Sequence, residues 1–128
     1  MPMTNRQRGD YFERQVRDTL TEHGWFVVRS AGSLGVCDLV ALRHDKTPCL
    51  VACKISGRID PAERTAILDV AESAGARAVV AMRPRGGRVT VAAIVRGTKH
   101  LVPLETLHVP RRGRPIDPGY PAAGMVAP

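Results

Sequence analysis

The stretch Arg29-Ser30-Ala31-Gly32-Ser33-Leu34-Gly35-Val36-Cys37-Asp38-Leu39-Val40-Ala41-Leu42, continued by Cys49-Leu50-Val51-Ala52-Cys53-Lys54, decides how this chain folds. It opens as a loop of small residues and runs into an apolar segment. It then crosses a polar turn of hairpin length, His44-Asp45-Lys46-Thr47-Pro48, and returns through a second apolar segment, Cys49 to Ile55. With the β-prone run Trp25 to Arg29 in front, it predicts a three-strand meander. Asp38 opens the middle strand and Lys54 stands near the end of the third. Side chains alternate along a strand, so Leu50, Ala52 and Lys54 share one face and Val51, Cys53 and Ile55 the other; on the neighbouring strand Asp38, Val40 and Leu42 share a face. A lysine inside an apolar strand needs an anion or a route to water, and Asp38 across the hairpin is a candidate partner. Two charges in the middle of a small core rarely help stability, so the pair points toward chemistry rather than packing.

Outward from this stretch, Met1 to Thr4 reads as a frayed start and Asn5 to His23 as a helix. Phe12, Val16 and Leu20 repeat at i, i+4 and i+8 and form its apolar stripe. Gly24 is the natural stop. Glu13 borders that stripe, and its spacing alone makes it a solvated partner for Arg17 one turn on. Downstream, Asp60-Pro61-Ala62-Glu63 is a helix start, with Asp60 as cap, Pro61 at the first position and Glu63 completing a capping box. Ile67, Leu68, Val70 and Ala71 give that helix its apolar face and Gly75 ends it. Ala78 to Arg83 is a buried strand, Pro84 to Gly87 a turn, and Arg88 to Val95 the hairpin partner. Leu101 to Val109 is expected to hold a short helix after Pro103. The expected architecture is α/β: a mixed five-stranded sheet flanked by helices. The domain spans residues 1–109, and residues 110–128 form a Pro-rich basic tail, extended or disordered.

The 128 residues suffice for one modest core. Lysine and arginine exceed the acids by 19 to 12, a net charge of +7, which favours a polyanionic partner such as nucleic acid. Cys37, Cys49 and Cys53 make an odd count without C-x-x-C spacing, which suits reduced thiols in a cytoplasmic protein. No apolar run approaches membrane-spanning length, and no signal peptide precedes the basic N-terminus. A Walker loop, a metal finger and a Ser-His-Asp order are all absent from the sequence, and His23, His44, His100 and His108 form no spaced cluster.

The order of motifs is a helix carrying a glutamate, W-x-V-V-R-S-A-G-S-x-G, D-L-V-A-L, L-V-x-C-K, and a helix ending G-A-R-A-V-V-A-M-R. Over roughly residues 6 to 95 this resembles the archaeal-type Holliday-junction resolvases of the PD-(D/E)XK nuclease superfamily, and more closely their phage and bacterial relatives. The resemblance implies a restriction-endonuclease-like fold and a metal-dependent, structure-selective endonuclease that acts on branched DNA with Mg²⁺ or Mn²⁺. It implies a homodimer, since two symmetric nicks need two sites, working in the cytoplasm of a bacterium or a phage-infected host.

Residue by residue, the resemblance makes Glu13 the helix acid, Asp38 the metal-binding aspartate and Lys54 the lysine of the E-x-K element. Ser33, or Ser30 beside it, becomes the loop serine near the scissile phosphate. The metal ligands it implies are Glu13, Asp38, the backbone carbonyl of Cys53 and the side chain at position 52. The family carries Glu or sometimes Gln there, and this chain has Ala52. The chain is therefore expected to bind junctions and cut them poorly, whether Ala52 is an inactivating substitution or a natural divergence. Phosphate contacts are expected from Arg6, Arg8, Arg14, Arg29, Arg111 and Arg112. Two rivals stand beside this reading: a restriction- or repair-type nuclease on duplex DNA, and a non-catalytic branched-DNA-binding protein.

Overall fold

The structure, a computed structural model, describes residues 2–30, 35–85 and 87–104. The expected tail at 110–128 lies outside them. The elements run α1 (Asn5–Glu22), β1 (Phe26–Arg29), β2 (Leu39–Arg43), β3 (Lys46–Cys53), α2 (Pro61–Ala74), β4 (Arg77–Met82), β5 (Thr90–Ile94) and β6 (Leu101–Pro103). The strands form one mixed sheet in sequence order, β1-β2-β3-β4-β5-β6. Only β3 and β4 are parallel, because α2 carries the chain from one to the other; every other neighbour is antiparallel.

The sheet has six strands rather than the expected five. Leu101–Pro103, expected only to lead into a short helix after Pro103, pairs with β5, and residues 105–109 of that expected helix lie outside the described residues. Pro103 has no N–H to give a ladder, and β6 lies at the sheet edge, where that costs nothing. The β2–β3 connection is also tighter than expected. Arg43 pairs with Lys46, so only His44 and Asp45 turn, and Thr47 and Pro48 belong to the strand. Asp45 is fully buried beside Arg43, whose guanidinium also donates to the His23 carbonyl at 3.1 Å. That contact ties the end of α1 to the hairpin.

Strand alternation builds two cores. On one face Phe12, Val16 and Leu20 of α1 and the neighbouring Trp25 pack on Leu39, Ala41, Cys49, Val51, Val79 and Ala81. On the other, Ile67, Leu68 and Ala71 of α2 pack on Leu50, Ala52, Ala78 and Val80, with Val40 and Cys37 alongside. Thr4, expected to belong to a frayed start, instead caps α1 in a reciprocal box with Gln7. Gly75 closes α2 in the left-handed region, at φ 67°.

Candidate functional site

The site lies where β2 and β3 run out beside the start of α1. Asp38 stands one residue before β2. Its N–H donates to the Val51 carbonyl at 2.9 Å, and its own carbonyl accepts from Ser30 N–H at 2.9 Å, so its backbone is held from both neighbouring strands. Its carboxylate Oδ2 accepts the Cys53 N–H at 2.7 Å. A short charge-assisted bond of this kind fixes the direction in which the carboxylate faces.

Glu13 reaches the same place from α1. It follows Phe12, the most N-terminal buried residue of the stripe, and so stands about 100° round the helix from the core. Its side chain is 22% exposed. Its partner is not Arg17 but Arg29, whose Nε donates to Glu13 Oε1 at 3.2 Å while a terminal nitrogen approaches Asp10 Oδ1 at 3.4 Å. Arg17 lies 3.7 Å from Asp18 instead. Burial pushes the Glu13 carboxyl above its ordinary range and the Asp38 charge adds to this, against the opposing pull of Arg29. Two carboxylates from separate elements thus repel each other across one small volume.

Lys54 does not pair with Asp38. It lies just past β3, with its N–H donating to the Ala81 carbonyl at 2.9 Å. Its ammonium meets Glu63 Oε2 of α2 at 2.8 Å. The expected capping role of Glu63 falls to Asp60 alone, which accepts from Ala62 N–H at 2.8 Å. Ala52 is 3% exposed and wholly inside the α2 core. The structure therefore brings Glu13, Asp38 and the Cys53 backbone together, and turns the Lys54 ammonium toward Glu63 of α2.

Ser30 borders this region, and a Cβ on Gly35 would collide with its hydroxyl, so the Gly35 backbone stands as close to Ser30 as glycine allows. Ser33 lies outside the described residues. Arg6, Arg8 and Arg14 are exposed on α1. Arg14 follows Glu13 directly, whereas Arg8 lies about 140° round the helix from it. Arg111 and Arg112 fall outside the described residues. Cys37 and Cys53 flank Asp38, and burial, then the Asp38 charge, pushes both thiols up; burial takes Cys49 up to about 11. All three are protonated at neutral pH and poor nucleophiles.

Among the described residues no group of three or more His, Cys, Asp or Glu side chains is placed to hold a metal ion. What the site offers a cation is the pair of mutually repelling carboxylates, whose repulsion a positive charge would relieve, with carbonyls and water to complete the shell of a hard ion. The residues fit such an ion with a reduced set of charged ligands. Two partners escaped the sequence reading. Glu63 was visible as the fourth residue of D-P-A-E but also satisfied a capping pattern. Arg29 was visible as a basic residue, with nothing to show that it faces two acids of α1.

No helix among the described residues is long and apolar enough to cross a membrane. No curated protein matches the chain. Among solved structures the fold is similar to that of Archaeoglobus fulgidus Hjc, a Holliday junction resolvase from an archaeal hyperthermophile. The TM-score is 0.59 and the identity 24%, and the match covers 77% of this chain and 90% of that one. At that identity the likeness speaks for the fold alone. The family model for the archaeal Holliday junction resolvase (Hjc) matches residues 4–105, from the cap of α1 to just beyond β6. That span holds the whole sheet and both helices, and the chain belongs to the archaeal Holliday junction resolvase family.

Proposed function

We propose that this chain is a divalent-metal-dependent endonuclease that works as a homodimer on four-way DNA junctions. In this reading Glu13 and Asp38 are its metal-binding carboxylates, and its activity is lowered by Ala52. The observation that carries the proposal is the approach of Glu13 and Asp38, from α1 and from the entrance to β2, to a point fixed by the Cys53 N–H. Family membership supports the junction as substrate, and the net charge of +7 supports a polyanion.

Glu13, Asp38 and the Cys53 carbonyl would hold Mg²⁺ or Mn²⁺, which when bound supplies an activated water and neutralises charge on the phosphate. The chain's own residues prepare the place. The Cys53 N–H keeps Asp38 aimed. Arg29 holds Glu13 and Asp10, and it can exchange those acids for a DNA phosphate when a cation takes over their charge. Lys54 provides a positive charge near the end of β3 for the reacting phosphate. Ser30 stands beside Asp38, its N–H donating to the Asp38 carbonyl. With alanine at 52 the ligand set lacks one carboxylate, and metal binding weakens accordingly.

Arg6, Arg8 and Arg14, joined by Arg111 and Arg112, would grip the phosphates. Binding should then be steeply salt-dependent and nearly indifferent to sequence. Two symmetric nicks call for two copies of the site, hence the dimer. The test is a cleavage panel of four-way junction, flap, splayed arm and linear duplex in Mg²⁺ or Mn²⁺, for the chain and for A52E. Junction-selective cutting that strengthens in A52E is expected. Preference for linear duplex would favour the restriction- or repair-type rival. Junction binding with no cutting by either protein would favour the non-catalytic rival.

A further inference from the structure

Lys54 and Ala52 lie two residues apart in β3 and its extension, on the side that faces α2. The family pattern puts a carboxylate at 52, two positions from the lysine. Here that position holds a methyl group, 3% exposed, packed in the α2 core. Lys54 nevertheless has a carboxylate. Its ammonium lies 2.8 Å from Glu63 Oε2, in the first turn of α2. Because Asp60 already caps the helix through Ala62 N–H, the Glu63 side chain is turned across to the end of β3.

We infer that Glu63 has taken over, from α2, the role of charge partner to Lys54 that position 52 no longer fills, so that whatever cutting the chain retains depends on Glu63. This rests on the nuclease reading above. Stability alone gives little reason for the pair: with side chains 31% and 45% exposed, such a bridge contributes at most about 1 kcal/mol. What it does fix is where the ammonium stands. The positive end of the α2 dipole favours a carboxylate at this turn. Glu63 also lines a groove of about 520 Å³ with Asp60, Arg58, Arg64 and Lys99, so its side chain stands open to solvent beside the lysine. Glu63 is a positioning residue: it acts through Lys54 and is not placed with Glu13 and Asp38 as a ligand, since no cluster of three such groups occurs among the described residues.

The test is a double-mutant cycle on the full chain: wild type, E63Q, A52E and A52E/E63Q. Single-turnover junction cleavage is read separately from junction affinity, and E63D serves as the conservative control. E63Q should slow cleavage by about tenfold or more, the range for groups that orient a functional side chain. Junction affinity should stay unchanged, and E63D should restore part of the rate. With glutamate at 52 the strand partner is back, so E63Q should then cost less than about twofold, outside the additivity expected of independent sites. If the buried A52E side chain prevents folding, A52Q takes its place.

The inference is overturned if E63Q cuts as fast as wild type or faster, or loses equally in both backgrounds. It is also overturned if the wild type is inert while A52E cuts; in those cases the nuclease reading survives. If none of the four cuts, both fall, and junction-over-duplex selectivity in binding then shows whether the junction itself remains the ligand.

Discussion

The two faces of β3 differ in what they carry. The α1 face is built from large side chains, with Phe12, Val16, Leu20 and Trp25 over Leu39 and Val51, and Glu13 stands at the border of that helix's apolar stripe, within electrostatic reach of Asp38. The α2 face is built with small ones. Ala52, Ala71 and Ala78 sit among Leu50, Ile67, Leu68 and Val80, and that face ends in the Lys54–Glu63 pair. The end of β3 thus meets the carboxylates through the Cys53 N–H, which Asp38 accepts, and meets α2 through the Lys54–Glu63 pair. The alanine at 52 lies in the small-residue core, two positions before the lysine whose ammonium meets an acid of α2.

The largest expected effect concerns packing. Phe12→Ala should destabilise the fold by about 3–5 kcal/mol, because Phe12 is 2% exposed at the centre of the large-residue face. Leu68→Ala on the opposite face should cost about 2–5 kcal/mol and fall in the lower half of that range, since α2 can settle onto small neighbours. Chemical denaturation of both variants decides, and a larger loss from L68A would reverse the ranking of the two faces.

Next comes the chemistry of the carboxylates. Asp38→Asn keeps the shape and can still accept from Cys53 N–H, but it removes the charge. Outer-shell partners of metal sites already cost 10–100-fold, so loss of this carboxylate should reduce metal-dependent cleavage by at least about 100-fold. Thermal stability without metal should stay near wild type. Cleavage by D38N at the wild-type rate would remove Asp38 from the ligand set.

A smaller effect is expected at the small-residue face. Ala52→Glu forces a longer, charged side chain into a site 3% exposed, and overpacking of this kind costs about 1–3 kcal/mol. If the new carboxylate reaches the cation shared by Glu13 and Asp38, saturating Mg²⁺ should recover part of the lost melting temperature, more than it raises that of wild type. Melting curves with and without Mg²⁺ measure this directly. Destabilisation that metal leaves untouched would mean that position 52 no longer communicates with the carboxylates.

Much of this architecture was legible in the residues. The 3.6-residue stripe of Phe12, Val16 and Leu20, the meander and the D-P start of α2 are local patterns, and local patterns survive folding. The sixth strand was not legible, because Leu101-Val102-Pro103 is short, ends in proline and becomes a strand only when β5 offers its edge. The candidate site was half legible. Alternation correctly set Ala52 with Leu50 in one core and Val51 in the other. It could not tell which neighbour Lys54 would choose, since Asp38 across the hairpin and Glu63 across the crossover are both available acids. Pairings that cross elements, such as Arg29 with Glu13, depend on how α1 settles on the sheet, and no periodicity records that.

The finest test of the comparison is electrostatic. The Glu13 carboxyl is raised above its ordinary value by burial and by Asp38. The folded chain therefore holds that proton more tightly than the unfolded chain. An ionised Glu13 costs the fold stability at every pH above its folded value, and the cost vanishes as pH falls through that value toward 4.5. Glu13→Gln removes the charge outright. Its melting temperature should exceed that of wild type at pH 8, and the gap should close as the pH is lowered toward 4.5. A bound divalent cation inverts the argument, because it favours the ionised carboxylate. Adding Mg²⁺ should raise the wild-type melting temperature and leave that of E13Q nearly still, narrowing or reversing the gap at pH 8. A variant less stable than wild type at pH 8 without metal would mean that the Arg29 bond outweighs burial and the Asp38 repulsion. Glu13 would then belong to the scaffold of α1 rather than to a strained pair waiting for a cation.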